Sequence, residues 1–149
     1  MTRGYCGIGI EFYVKDVNVG TLWRSAHAFG ASFIFTVGRE YKRQASDTTA
    51  AWKHVPLYHY LSIDDLYKSL PHDCRLVGVE IVDGSYSLPA FIHPEQAVYL
   101  LGSEVNGLTP QALQKVHMTV QIPTIYCLNV AVAGSIVLYD RVAKERGQC

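Results

Sequence analysis

The chain has 149 residues, nearly half of them apolar, and thirteen basic side chains balance thirteen acidic ones. That suits one domain over 1–149 with a real core, no apolar run reaches the ~18 residues of a membrane span, and Met1-Thr-Arg-Gly leads into no signal-peptide hydrophobic region. The four cysteines, Cys6, Cys74, Cys127 and Cys149, form no C-x-x-C pair, which argues against a zinc site or a disulfide framework and for a reducing, intracellular setting.

Gly4–Val14 reads as a first strand, with Ile8, Ile10 and Phe12 on one side. Gly7-Ile-Gly9 begins like a dinucleotide fingerprint, but the third glycine is absent and a strand continues, so it is discounted. Lys15–Gly20 is a turn, and a helix follows from Val19 or Thr21 to about Phe29. Its buried stripe is Val19, Leu22, Trp23, Ala26 and Phe29, and Gly30 closes it. Ala31–Val37 is a second buried strand. Gly38–His54 is polar, with Arg39, Lys42, Arg43, Lys53 and His54 interleaved with Tyr41 and Trp52. Cations beside aromatics suit phosphate contact with base stacking, and equally a solvated loop. Val55–Tyr60 is a third strand. Ser62 with Asp65 at N3 opens a helix to Leu70. Arg75–Val82 and Ala97–Leu101 are strands, Thr109-Pro110 caps a short helix to Val116, and Met118–Ile122 is the last strand. Alternating strands and helices predict an α/β fold around a mostly parallel sheet flanked by helices.

Ile122–Asp140 is the most apolar stretch, with one amide, Asn129, near its start. A polar group in such a run needs a partner or costs about 1–3 kcal/mol, so Asn129 either ties down a neighbouring loop or meets a ligand. Alternation over Asn129–Val132 suits a strand, whereas the spacing Val132, Ile136, Tyr139 suits a helix. Cations in the last turn before Gly147 favour a helix from Leu128 to Arg146.

Net charge zero argues by itself against a nucleic-acid partner. Its distribution argues the other way. Residues 1–54 hold seven Lys/Arg against four Asp/Glu, residues 55–104 two against seven, and residues 105–149 four against two. If the chain ends meet in space, one face is basic.

Three loops fall at the carboxyl ends of predicted strands, the edge where open α/β sheets bind ligands: Asn18–Arg24, Gly102–Leu108 and Ile122–Asn129. They offer backbone amides, one Arg, one Glu and two Asn, but no Ser-His-Asp set, no metal-ligand spacing and no Gly-Lys-Ser/Thr of a phosphate loop. Asn106-Gly107 is by itself a common turn pair.

Three motifs in order give these loops a meaning: Asn18-Val-Gly20-Thr-Leu-Trp-Arg24-Ser-Ala26, Leu101-Gly102-Ser-Glu104-Val-Asn-Gly107-Leu108, and Ile122-Pro123 with Leu128-Asn129-Val130-Ala131-Val132-Ala133. From about Gly7 to Arg141 the chain resembles the SpoU/TrmH-type branch of the SPOUT RNA methyltransferases. The resemblance implies a C-terminal deep trefoil knot, an exception to the rule against threading, and a homodimer. Both would cover the apolar Leu128–Leu138. It implies S-adenosylmethionine as cofactor, S-adenosylhomocysteine as product, no metal, and methyl transfer to a ribose 2′-hydroxyl of RNA, tRNA first and ribosomal RNA second. The setting implied is cytoplasmic, with no membrane partner.

By the same resemblance Arg24, Asn18, Glu104 and Asn129 are the catalytic set. Val79, Gly102, Ile122, Cys127 and Leu128 hold the cofactor, with Val79 as an apolar wall. A guanidinium stays protonated at neutral pH, so Arg24 is expected to place phosphate and stabilise a developing alkoxide, in cis or across the dimer, rather than act as a base. Taken without the family, Arg24 reads as a surface ion pair to Asp16 or Glu104. The RNA contacts expected in the polar segment are Arg39, Lys42, Arg43 and Lys53. Cys127 stands where the family commonly has Ser, and the loop Thr124–Tyr126 is short. A buried, inert thiol is the expectation for Cys127. The alternatives in other classes are a non-catalytic RNA-binding module of the same fold and a domain that binds a small nucleotide.

Overall fold

Cys6–Glu11 (β1), Phe33–Val37 (β2) and Ala97–Leu101 (β6) are buried at every position. Strands covered on both faces need an apolar side chain at nearly every residue, which is why these runs do not alternate. In a computed structural model, which describes residues 4–42 and 50–145, they form the middle of a seven-stranded sheet. Leu57–Tyr60 (β3), Arg75–Val79 (β4), Tyr86–Ser87 (β5) and Met118–Gln121 (β7) complete it. The strand order is β3-β2-β1-β6-β4-β7-β5, and every pairing is parallel. Ile10 lies opposite both Thr36 and Leu101.

Asp16–Ala28 (α1) and Val130–Glu145 (α4) cover one face. There Leu22, Trp23, Val137 and Leu138 pack on Ile8, Ile10, Tyr99 and Leu101. Ile63–Ser69 (α2) and Pro110–Lys115 (α3) cover the other, where Ile63, Leu66 and Ala112 meet Phe35, Val98 and Leu100. A side chain at Gly134 would meet Leu22, so this glycine lets α4 approach α1 closely. There Ser25 Oγ donates to Ser135 Oγ at 2.7 Å, since Ser135 gives its own proton to the Ala131 carbonyl.

The caps expected at Ser62 and Thr109 are present: their hydroxyls accept from Asp65 N at 3.2 Å and Ala112 N at 3.1 Å. Other boundaries differ. Asp16–Gly20 is the first turn of α1, not a separate turn, although Lys15 offers no side-chain cap. A distant carboxylate instead holds the chain just before it, as described below. The first strand ends at Glu11, because Phe12 turns at φ 49°. β4 ends at Val79 rather than Val82. The Ser85 hydroxyl bonds the Glu80 carbonyl at 2.8 Å and receives Val82 N at 3.3 Å, which folds the chain away from the sheet. α4 begins at Val130 rather than Leu128, because Asn129 caps it: Oδ1 accepts from Ala131 N at 2.9 Å and Val132 N at 3.1 Å. The expected last helical residue, Arg146, lies outside the described residues. Cys6 and Cys74 are free buried thiols, Cys6 pushed by burial up to about 12. No helix among the described residues is long and apolar enough to cross a membrane.

A buried polar cluster fastens the far end of α4. Arg141, 3% exposed, donates to the carbonyls of Pro94 at 2.6 Å and Glu95 at 2.7 Å and to Tyr99 Oη at 3.1 Å. Lys144 and His93 Nε2 both meet Asp140 Oδ2 at 2.7 Å. His93 Nδ1 lies 2.6 Å from Tyr99 Oη. The neutral imidazole with its proton on Nε2 satisfies all of these at once. Burial holds the His93 pKa below the ordinary value, against the pull of Asp140. Protonation is therefore harder in the folded cluster than in the unfolded chain. Stability from this group is complete above the ordinary imidazole value of 6.5 and is lost as pH falls below it. Denaturant unfolding from neutral to mildly acidic pH will show that loss, and His93→Phe will remove much of the pH dependence. Arg141→Ala leaves buried acceptors without donors and lowers stability by about 3 kcal/mol.

Candidate active site

The carboxyl ends of β1, β4, β6 and β7 lie along one edge of the sheet, and a cleft of about 440 Å³ opens beside them. This is in the size range of small-molecule sites. Its walls come from the ends of β4 and β6 and from the loops that follow β4, β6 and β7. Val79, Gly102, Ile122, Cys127 and Leu128, the five residues that the resemblance gives to the cofactor, all line it, as does Glu104.

The loop after β6 is folded tightly on itself. Gly107 N donates to the Ser103 carbonyl at 3.0 Å, and Asn106 N to Ser103 Oγ at 3.0 Å. Gly107 has φ +68°, and a side chain there would strike the Glu80 carboxylate. A side chain at Gly102 would strike the backbone of Gly107 and Leu108. Close approach requires both glycines, and at Gly107 the backbone conformation requires it too. Glu80 locks the loop from the cleft side, accepting from Leu108 N at 2.8 Å and Ile81 N at 3.0 Å. Glu11, 2% exposed, holds the loop's far end through Thr109 N at 2.9 Å and Thr109 Oγ1 at 2.8 Å.

Asn18, Glu104 and Asn129, from three distant parts of the chain, form one hydrogen-bonded relay. Asn18 Nδ2 donates to Glu104 Oε1 at 2.5 Å, and Asn129 Nδ2 donates to Asn18 Oδ1 at 3.0 Å. Glu104 Oε2 accepts from Val14 N at 2.9 Å. The carboxylate therefore sits beside the N-terminal end of α1, where negative charge is favoured, and ties down the residues just before the helix. Asn18 is 4% exposed, so its amide depends on these partners. Partial burial pushes the Glu104 carboxyl up, but hydrogen bonds from Asn18 and from backbone amides outweigh it. The group stays below the ordinary carboxylate value.

Arg24 is exposed on α1, does not line the cleft, and has no hydrogen-bond or ion-pair partner among the described residues. The expected ion pair to Asp16 or Glu104 is not formed: Asp16 lies 3.8 Å from Arg39 instead. Cys127 is exposed in the cleft rather than buried. The loop that carries it, with Ile125 91% and Tyr126 83% exposed, packs on little of the rest of the chain.

Arg39 is held by its surroundings. It donates to the carbonyls of Val14 at 2.7 Å and Tyr13 at 3.2 Å and lies 4.6 Å from the Tyr13 ring centroid. Lys42 is exposed. Lys53 is exposed with its ammonium 5.3 Å from the Trp52 ring, and Arg43 lies outside the described residues. Sequence reasoning missed Glu80 and Glu11. Glu80 was hidden inside an apolar run that reads as strand through Val82. An acidic residue at the carboxyl end of a strand is the signal that could have found it. Among the described residues no group of three or more His, Cys, Asp and Glu is placed to hold a metal.

Fold and cleft together define a parallel α/β protein with a ligand-sized site at the sheet's carboxyl edge, braced by an amide–carboxylate relay. The model of the SpoU rRNA Methylase family matches residues 11–139, and the chain belongs to that family. It is 25% identical over 145 residues to the tRNA (guanosine(18)-2′-O)-methyltransferase TARBP1 of Mus musculus. The match covers 91% of this chain but only 9% of that protein's length. The SpoU methyltransferase AviRb of Streptomyces viridochromogenes, solved with its cofactor AdoMet, superposes with a TM-score of 0.86. That match has 22% identity and covers 98% of this chain and 60% of the other. A structure described as giving insight into 2-OH methylation of C/U34 on tRNA superposes at 0.82, with 24% identity over 98% of this chain and 99% of that one.

Glu104→Ala removes the acceptor for both Asn18 and the start of α1. It is expected to lower stability by about 1–3 kcal/mol, measured by denaturant unfolding at neutral pH. Because the folded carboxyl is depressed, the wild-type advantage is full above the ordinary carboxylate value of 4.5 and shrinks as pH falls below it.

Proposed function

We propose that this chain is an S-adenosylmethionine-dependent RNA 2′-O-methyltransferase that acts on tRNA. The observation that carries the proposal is the convergence of Val79, Gly102, Ile122, Cys127 and Leu128 on one cleft, beside the relay of Asn18, Glu104 and Asn129. The lining suits the cofactor: Val79, Leu101, Ile122, Leu128 and Val130 give an apolar slot, two loops offer main-chain groups, and Glu80 and Glu104 complement a cationic ligand. When bound, S-adenosylmethionine supplies an electrophilic methyl on a sulfonium. The chain's own task is to orient acceptor and donor and to exclude water. The tRNA 2′-O-methyltransferase activity of the mouse relative and the 2-OH methylation of tRNA to which the second solved structure relates favour the 2′-hydroxyl and tRNA.

Arg24 is the residue for the acceptor. Its guanidinium stays charged, so it places phosphate and stabilises the developing alkoxide while the proton leaves to phosphate or water. That it is exposed on α1 and does not line its own chain's cleft supports action across a dimer, in the cleft of a second copy. The exposed Val132 and Tyr139 on α4, with the half-buried Ile136 between them and the exposed Val17 on α1, support a homodimer through this face. The interleaved order β6-β4-β7 and the meeting of the loops after β6 and β7 over one cleft support the family's trefoil knot.

The test is incubation of purified protein with methyl-labelled S-adenosylmethionine and a tRNA pool. Label is expected in alkali-resistant dinucleotides, the mark of 2′-O-methylation. Arg24→Ala is expected to lower turnover roughly 10²–10³-fold, with cofactor affinity largely kept. Equal loss of both would contradict the assigned role. Cofactor and RNA binding without turnover would identify a non-catalytic RNA-binding module instead.

A further inference from the structure

His27 on α1 and His54, just past the 3-10 turn Ala50–Lys53, stack face to face. Their ring centroids are 4.6 Å apart and their planes 9° from parallel. Both side chains are exposed. The stack is not what fastens this turn to α1. That is done by Trp23, whose Nε1 donates to the Val55 carbonyl at 2.8 Å, and by the buried Ala51 and Val55. Two surface imidazoles held in register lose side-chain freedom and add little to the core.

Their surroundings are cationic and aromatic. Arg24 lies three residues before His27 on α1, a neighbour on the same helix surface. Lys53 adjoins His54, with its ammonium 5.3 Å from the ring of Trp52, which is 41% exposed. From Val17 to Arg39 and from Ala50 to Ile63 the sequence contains no Asp or Glu. A ring platform flanked by cations without an ion-pair partner among the described residues matches single-stranded nucleic acid, whose bases offer faces for stacking and whose phosphates take the charge. A duplex hides those faces.

The geometry points to the His27–His54 pair as an RNA platform: one unpaired nucleobase stacks on it, and Arg24 and Lys53 hold the flanking phosphates. This rests on the reading of the chain as an RNA-modifying enzyme and adds where the RNA beside the modified nucleotide lies. It moves the RNA surface away from Arg39, whose guanidinium is already bound to carbonyls, and onto α1.

The test is fluorescence anisotropy with a labelled single-stranded RNA oligonucleotide and with its duplex. His27→Ala and His54→Ala are each expected to weaken single-strand binding by about tenfold and duplex binding much less. His54→Phe, which keeps the ring, restores most of the affinity. Melting temperature, oligomeric mass and S-adenosylmethionine affinity stay as in the wild type. Ala variants that bind single strands as the wild type does would overturn the platform and leave the proposed activity standing. Equal losses on single strand and duplex would overturn the stacking role. A changed oligomeric mass would make the pair a subunit contact and overturn it too. A wild-type protein that binds no RNA would sink the platform and the RNA reading together.

Discussion

One hydrogen bond decides how the rest of the site is arranged: the buried amide of Asn18 donating to the Glu104 carboxylate. Asn18 is on the first helix, Glu104 follows the sixth strand, and 86 residues separate them. A buried amide without partners is costly, so its demand for an acceptor and a donor is strong. Glu104 supplies the acceptor and Asn129 the donor. The same two partners then do further work. Glu104 holds the residues just before α1 through Val14 N, and Asn129 caps α4 through Ala131 N and Val132 N. Two helices and the two cleft loops are thus fixed by three side chains.

The cleft inherits its shape from that arrangement and from two supporting carboxylates. Glu80 grips the loop after β6 from inside and Glu11 from outside. At the other end of α4, Arg141 closes the backbone carbonyls of Pro94 and Glu95. The helix is therefore anchored at both ends, and the exposed apolar stripe between them is presented on a rigid element. Rigid presentation of this kind is what precise positioning of two reactants requires.

Much of this was legible in the sequence, for local reasons. Strands buried on both faces read as apolar runs, and Ser62 and Thr109 announce their helices because the caps are three residues from their partners. The three loop motifs brought the cleft-lining residues together before any coordinates. What was not legible depended on distance in the chain. The start of α1 looked like a turn because no side-chain cap marks it locally, and the carboxylate that holds Val14 before it lies 90 residues away. Asn129 looked like part of the helix it in fact caps. Glu80 was lost in a run whose apolar pattern outlasts the strand by Ile81 and Val82. Composition also could not distinguish Arg39, committed to carbonyls, from Arg24, which is exposed and has no partner among the described residues, since both are arginines in basic segments.

The central claim is that the relay shapes a cofactor cleft it does not itself wholly line. Asn18 is absent from the cleft wall, so calorimetric titration of wild type and Asn18→Ala with S-adenosylmethionine tests it directly. The account predicts saturable binding by the wild type and affinity at least about tenfold weaker in the variant, the equivalent of one lost buried hydrogen bond. Equal affinity of a folded variant, or no binding by the wild type, would contradict it.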